Sequence, residues 1–161
     1  MKCFAFLLSA LFVLGFYSSS PVNAASDYKW IGQITEDGAS LSYAIPNSDA
    51  IRLDFHCDRK TRMVIVNFEH EPKTAKDGMQ FTVRLSVRGR DPGVSLDIPM
   101  KGERLGLDDK FVLQGETRMS QQLRRILSEG GTLLVAVDDR TGEIPLKGVA
   151  QAARQLFASC P

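Results

Sequence analysis

The sequence predicts a mainly β domain, either a β sandwich or a β-rich α+β fold. It should have seven or eight antiparallel strands, one short helix and a C-terminal helix. Three observations carry this expectation. Apolar and polar residues alternate from Ser26 to Ile98, as in strands with one buried and one solvated face. Helical spacing appears only near Ser120 and again near Gly148. Two cysteines far apart in the chain, Cys57 and Cys160, are left once an N-terminal leader is set aside.

Taken in order, Trp30 with Ile31 and Leu41 with Tyr43 mark two short strands at the front. The clearest alternation follows, with Ile51, Leu53, Phe55 and Cys57 on one face and Arg52, Asp54, His56 and Asp58 on the other. That pattern points Cys57 into the core. Val64, Val66 and Phe68 repeat it, as do Met79, Phe81, Val83, Leu85 and Val87 opposite Gln80, Thr82, Arg84, Ser86 and Arg88. Asp91, Pro92 and Gly93 have turn chemistry, after which Val94, Leu96 and Ile98 alternate again, and Phe111 to Leu113 is a further short candidate.

Met119, Leu123, Ile126 and Leu127 then recur at helical spacing, with Ser120 placed to cap the start and Gly130 with Gly131 to stop the helix. Leu133 to Val137 returns to a strand, and Asp138 to Gly142 reads as a turn. A final helix should begin near Gly148. Val149, Ala153, Leu156 and Phe157 would share its buried face, and its end would bring Cys160 onto the sheet beside Cys57.

The first residues have the order of a secretory signal: Lys2, an apolar run from Phe4 to Phe16, then a polar stretch to Asn23. Cleavage is expected after Ala24, with Val22 and Ala24 as the small residues read by the peptidase, leaving residues 25–161 as a single exported domain. The apolar run is shorter than the roughly 20 residues a membrane-spanning helix needs. Lys2 is the one charged residue it removes, so 19 basic residues face 19 acidic ones in the remainder. Such balance argues against a nucleic-acid binder or a polybasic membrane-surface protein. In an oxidising compartment the two remaining cysteines should pair. The chain-entropy model gives a loop of that size about 4–5 kcal/mol of stabilisation.

Chemistry-bearing motifs are few. No G-x-S-x-G occurs, and neither His56 nor His70 lies in a nucleophile pattern. The cysteines are committed to a bridge, Asp108 with Asp109 and Asp138 with Asp139 and Glu143 read as turn residues, and the glycines lack a phosphate-loop context, so no metal or cofactor is expected. One grouping stands out: Arg84, Arg88 and Arg90 lie close in sequence, and Arg52 and His56 share a predicted outward face. If their strands are neighbours, they make a positive patch suited to an acidic partner protein or an anionic surface polymer.

The C-terminal run with Ile144, Leu146, Gly148, Ala152, Leu156 and Cys160 resembles the ending of small exported proteobacterial proteins. Invasion-associated locus B proteins and the periplasmic TagO-type accessory proteins of type VI secretion are similar in this respect. The latter also begin with a tryptophan strand and place their other cysteine on an early strand, to which Trp30 and Cys57 would correspond. The resemblance implies a non-enzymatic envelope role and brings no catalytic residue with it. The expected function is thus a soluble periplasmic or secreted interaction module. The alternatives are an envelope hydrolase built on His56 or a carrier of a small apolar ligand between two sheets.

Overall fold

Among the described residues nine strands form one antiparallel sheet. The computed structural model describes residues 27–89, 94–106, 109–128 and 130–161. The expected signal segment, Arg90, the Asp91 to Gly93 turn and Asp108 lie outside them. The elements are β1 (Lys29–Ile34), β2 (Gly38–Ala44), β3 (Ile51–Asp58), β4 (Met63–Glu69), β5 (Gln80–Val87), β6 (Ser95–Leu105), β7 (Lys110–Arg118), α1 (Gln121–Ile126), β8 (Thr132–Val137), β9 (Arg140–Pro145), α2 (Val149–Ala152) and α3 (Arg154–Ser159).

The strand order is β1-β2-β3-β4-β7-β6-β5-β8-β9. Two meanders, β1 to β4 and β7 back to β5, join where β4 pairs with β7, and the β8–β9 hairpin extends the far side through β5. The sheet is a curled half-barrel rather than a sandwich. Alternation along each strand fits either architecture, because a strand with one buried face reads the same whether its core is covered by a second sheet or by the curl of its own. The ninth strand is β9, where the sequence suggested only a turn; the turn is confined to Asp138 and Asp139, with Asp138 at φ 52°.

Inward-facing residues from both flanks meet in one core. Leu41, Leu53, Phe55, Cys57, Val64 and Val66 come from one side, and Val83, Leu85, Ile98, Met100, Leu113 and Leu133 from the other. Gly102 on β6 leaves room for large rings, since a Cβ there would lie 2.5 Å from the Phe111 ring and 3.0 Å from Phe81. The curl carries the two outer strands toward each other. Trp30 Nε1 on β1 donates a hydrogen bond of 2.7 Å to the carbonyl of Pro145 at the end of β9. A side chain thus bridges two edges that no ladder joins.

The helices close what the curl leaves open. Ser120 accepts from the Leu123 N–H and caps α1, which packs on β5 and β6 through Leu123 and Ile126. The C-terminal helix is two short segments, α2 and α3, laid over β1, β2 and β3. Val149, Ala153 and Leu156 are buried under them, with Phe157 partly so. Gly32 on β1 admits the chain closely, its Cβ position falling 2.0 Å from the Ala152 carbonyl oxygen. Cys160 then meets Cys57 of β3 in a disulfide with Cα atoms 5.9 Å apart, joining the tail to the third strand as the sequence suggested. Arg124 reinforces the dock by donating to the Cys160 carbonyl at 2.8 Å while lying over the Phe157 ring. No helix among the described residues is long and apolar enough to cross a membrane.

Candidate functional site

The basic residues singled out in the sequence do not come together. In the sheet β3 and β5 are separated by β4, β7 and β6, so Arg52 and His56 are not neighbours of Arg84 and Arg88. Arg84 faces Asp97 directly across the β5–β6 ladder and donates to it from Nε and Nη2 at 2.7 and 2.8 Å, which holds the Asp97 carboxyl below its ordinary range. Arg88 pairs with Glu143 on β9. His56 is on the convex face, 3.3 Å from Asp37 and 21% exposed, and it lines neither of the two sites described below. Arg90 falls outside the described residues. The described residues form one sheet, so the space between two sheets expected for a carrier is not formed among them.

Arg52 is displaced by a bulge. Tyr43 on β2 pairs with Leu53, and Ala44 pairs with Ile51, leaving Arg52 as an extra residue on β3. A bulge of this kind exchanges the faces of the residues on one side of it. The face predicted for Ile51 and Arg52 is therefore reversed: Ile51 emerges on the convex surface and Arg52 turns to the concave mouth of the half-barrel. Two sites follow from this single inserted residue.

The first is a groove of about 330 Å³ on the convex face, spread over the adjacent strands β3, β4, β7 and β6. Its apolar floor is Ile51, Leu105 and Val112. Ile51 on β3 and Leu105 on β6, 42% and 44% exposed, stand at the two sides of the groove with Val112 of β7 between them, so the three line one apolar strip. Around them stand Asp49, Asp54, Glu69 and Glu103, against one base, Lys110. Asp54 accepts from Ser42 and Glu69 lies 3.6 Å from Lys110, whereas Asp49 and Glu103 have no cationic partner among the described residues.

The second is the mouth, a hollow of about 290 Å³ lined by Arg52, His70, Arg140, Thr141 and Glu143 over Phe68, Val135 and Ile144. His70 follows β4, its backbone N–H bound to the Phe111 carbonyl at 3.1 Å and its ring stacked on Phe68 at 5.3 Å and 10°. Its Nε2 is buried and has no hydrogen-bond partner. Burial, followed by the charges of Arg140 and Arg52, pushes the imidazole below its ordinary value of 6.5, with Asp138 acting the other way. The sign follows from linkage: near and below pH 6.5 the unfolded chain takes up a proton that the folded chain refuses, so stability falls as the pH drops. Urea midpoints measured from pH 7 to pH 5 should decline for the natural chain and decline less for His70→Phe; equal slopes would remove His70 as the cause.

No family model matches the chain, and no curated protein or solved structure matches it.

Sequence reasoning did not single out the groove, the role of His70 or that of Arg140. Ile51 read as core, His70 only as a histidine outside any nucleophile pattern, and Arg140 as part of a turn. The exchange of faces at the bulge has no signature in the alternation, which simply continues through Ile51 and Arg52.

Proposed function

We propose that this chain is a binding module of the bacterial envelope, acting in the periplasm or outside the cell. In this reading it recognises a partner protein through the convex groove and performs no chemistry of its own. The single observation that carries the reading is the pair of exposed apolar side chains, Ile51 and Leu105, framed by Asp49, Asp54, Glu69 and Glu103 with one lysine among them. Apolar contact supplies the affinity at such a surface and the unbalanced carboxylates supply orientation. The occupant that fits is a segment of another protein carrying apolar side chains flanked by lysine or arginine. An anionic polymer suits this face poorly. The disulfide supports the compartment, since such bonds persist outside the cytoplasm.

A photoreactive residue placed at Leu105 in cells should give an adduct that one at Ile34, an equally apolar and more exposed position on the edge strand β1, does not. Mass spectrometry of the crosslinked peptide should show basic and apolar residues at the contact. Ile51→Lys should reduce adduct yield at Leu105 by about tenfold or more, consistent with loss of a central apolar contact of about 1.4 kcal/mol or greater. Equal adducts at Leu105 and Ile34, or an acidic crosslinked segment, would overturn the assignment of this groove.

A further inference from the structure

The mouth of the half-barrel has a charge arrangement that the groove does not explain. Arg52 arrives there from β3 and Arg140 from the start of β9, two strands near opposite ends of the sheet that only the curl brings to one hollow. The acids around them are engaged elsewhere. Glu143, on the same rim, pairs with Arg88; Asp139 pairs with Lys73 at 3.3 Å; and Glu71 pairs with Arg104. Asp138 is close enough to act on His70 but makes no ion pair with either arginine among the described residues. Two guanidinium groups consequently line a small hollow whose one lining carboxylate, Glu143, is paired with Arg88, beside an imidazole whose Nε2 lacks a partner.

Beneath these polar groups the floor is apolar. Phe68, Val135 and Ile144 point inward and are 4%, 1% and 1% exposed, so the exposed Arg52 and Arg140 and the half-buried His70 stand over a hydrophobic base. Two guanidinium charges attract an anion together, and their planar N–H donors match the oxygens of a carboxylate or phosphate. A volume near 290 Å³ is at the lower end of small-molecule sites and too small for a folded partner.

We propose that this mouth binds a small organic oxyanion, its carboxylate or phosphate group held between Arg52 and Arg140 beside His70 and its apolar part resting on Phe68, Val135 and Ile144. Thr141 stands on the same rim as a further hydroxyl donor. The site is separate from the convex groove, and either can fail without the other.

The test titrates the purified, disulfide-bonded domain with benzoate, phenyl phosphate, inorganic phosphate and uncharged benzamide, following the His70 ring and the arginine side-chain signals by NMR. Benzoate or phenyl phosphate should bind and move these signals, and whichever binds more tightly identifies the head group. Inorganic phosphate should bind at least tenfold more weakly than phenyl phosphate, and benzamide not at all. Arg52→Gln and Arg140→Gln should each weaken binding about tenfold or more with the thermal midpoint unchanged, and Leu105→Lys should leave it as it is. The anion should also raise the pH at which His70 titrates, despite the arginines and with Asp138 present throughout. The proposal is overturned if neither organic anion binds, if benzamide binds as well as benzoate, if inorganic phosphate matches phenyl phosphate, or if both glutamine variants bind like the natural chain.

Discussion

Replacing Cys57 and Cys160 together by serine is expected to cost about 4–5 kcal/mol, the value the chain-entropy model assigns to closing a loop of about 100 residues. The two cysteines are separated by 103 positions, so the bond restricts most of the described chain once it unfolds. Whole domains are stable by only about 5–15 kcal/mol, which makes this loss a large share of the total. The thermal midpoint should fall by roughly 10–20 °C. Both sulfur atoms belong to buried residues, at 0% and 1% exposure, so a reductant should act slowly on the folded protein and quickly once denaturant is added. The bond also has a local task. It ends α3, whose Leu156 is buried against the first three strands, and removing it leaves that dock to Val149, Ala153, Leu156 and the Arg124 hydrogen bonds. Amide exchange should therefore quicken in α2 and α3 before it does in β4 and β7. An unchanged midpoint after full reduction would mean that the helices hold the tail without the covalent bond.

How far the fold can be read from residues alone depends on which interaction shapes each element. Strands β3, β4 and β5 alternate cleanly because one face of each packs into a shared core, and their inward sets Leu53 to Cys57, Val64 to Phe68 and Phe81 to Val87 are as expected. Period two says which face is buried but not which strand lies alongside. The pairing of β4 with β7 and of β5 with β8, on which the half-barrel depends, therefore has no local trace. Strand β9 was hidden for a different reason. It lies at the sheet's edge, contains Gly142, ends at Pro145 and has one buried side chain, Ile144, so it carries little of the alternation that reveals a strand.

The candidate sites were less legible still, because each is assembled by tertiary closure. The bulge at Arg52 depends on the partner strand β2 and reverses two side chains without altering the hydrophobic pattern. Arg140 and His70 meet only because the sheet curls. Conversely, Arg84 and Arg88 looked available in sequence, yet cross-strand acids that local reading cannot assign, Asp97 and Glu143, pair with them. Charge counted along a chain says what a surface contains; the ladder decides which charges are left over.

Phe55→Ala should be the most damaging single substitution outside the disulfide, at about 3–5 kcal/mol by urea denaturation. Phe55 is fully buried at the centre of β3, between Leu41 on β2 and Val66 on β4 in the ladder, and its ring lies 6.4 Å from that of Trp30. The loss has two parts. One is the transfer of a large apolar side chain together with the cavity left behind; the other is the support of Trp30, whose indole ties β1 to the carbonyl of Pro145 across the open side of the sheet. Phe55→Leu, which keeps most of the volume, separates them: it should cost roughly 1–2 kcal/mol and leave the tryptophan fluorescence near that of the natural chain. Phe55→Ala should shift that emission to the red as the indole gains water. If alanine at this position cost less than about 1 kcal/mol, the core would be able to collapse around the gap, and the curl would have to be held by its helices alone. If the cost were large but the emission unchanged, the Trp30 bridge would be independent of Phe55, and closure of the sheet would rest on the disulfide side of the molecule.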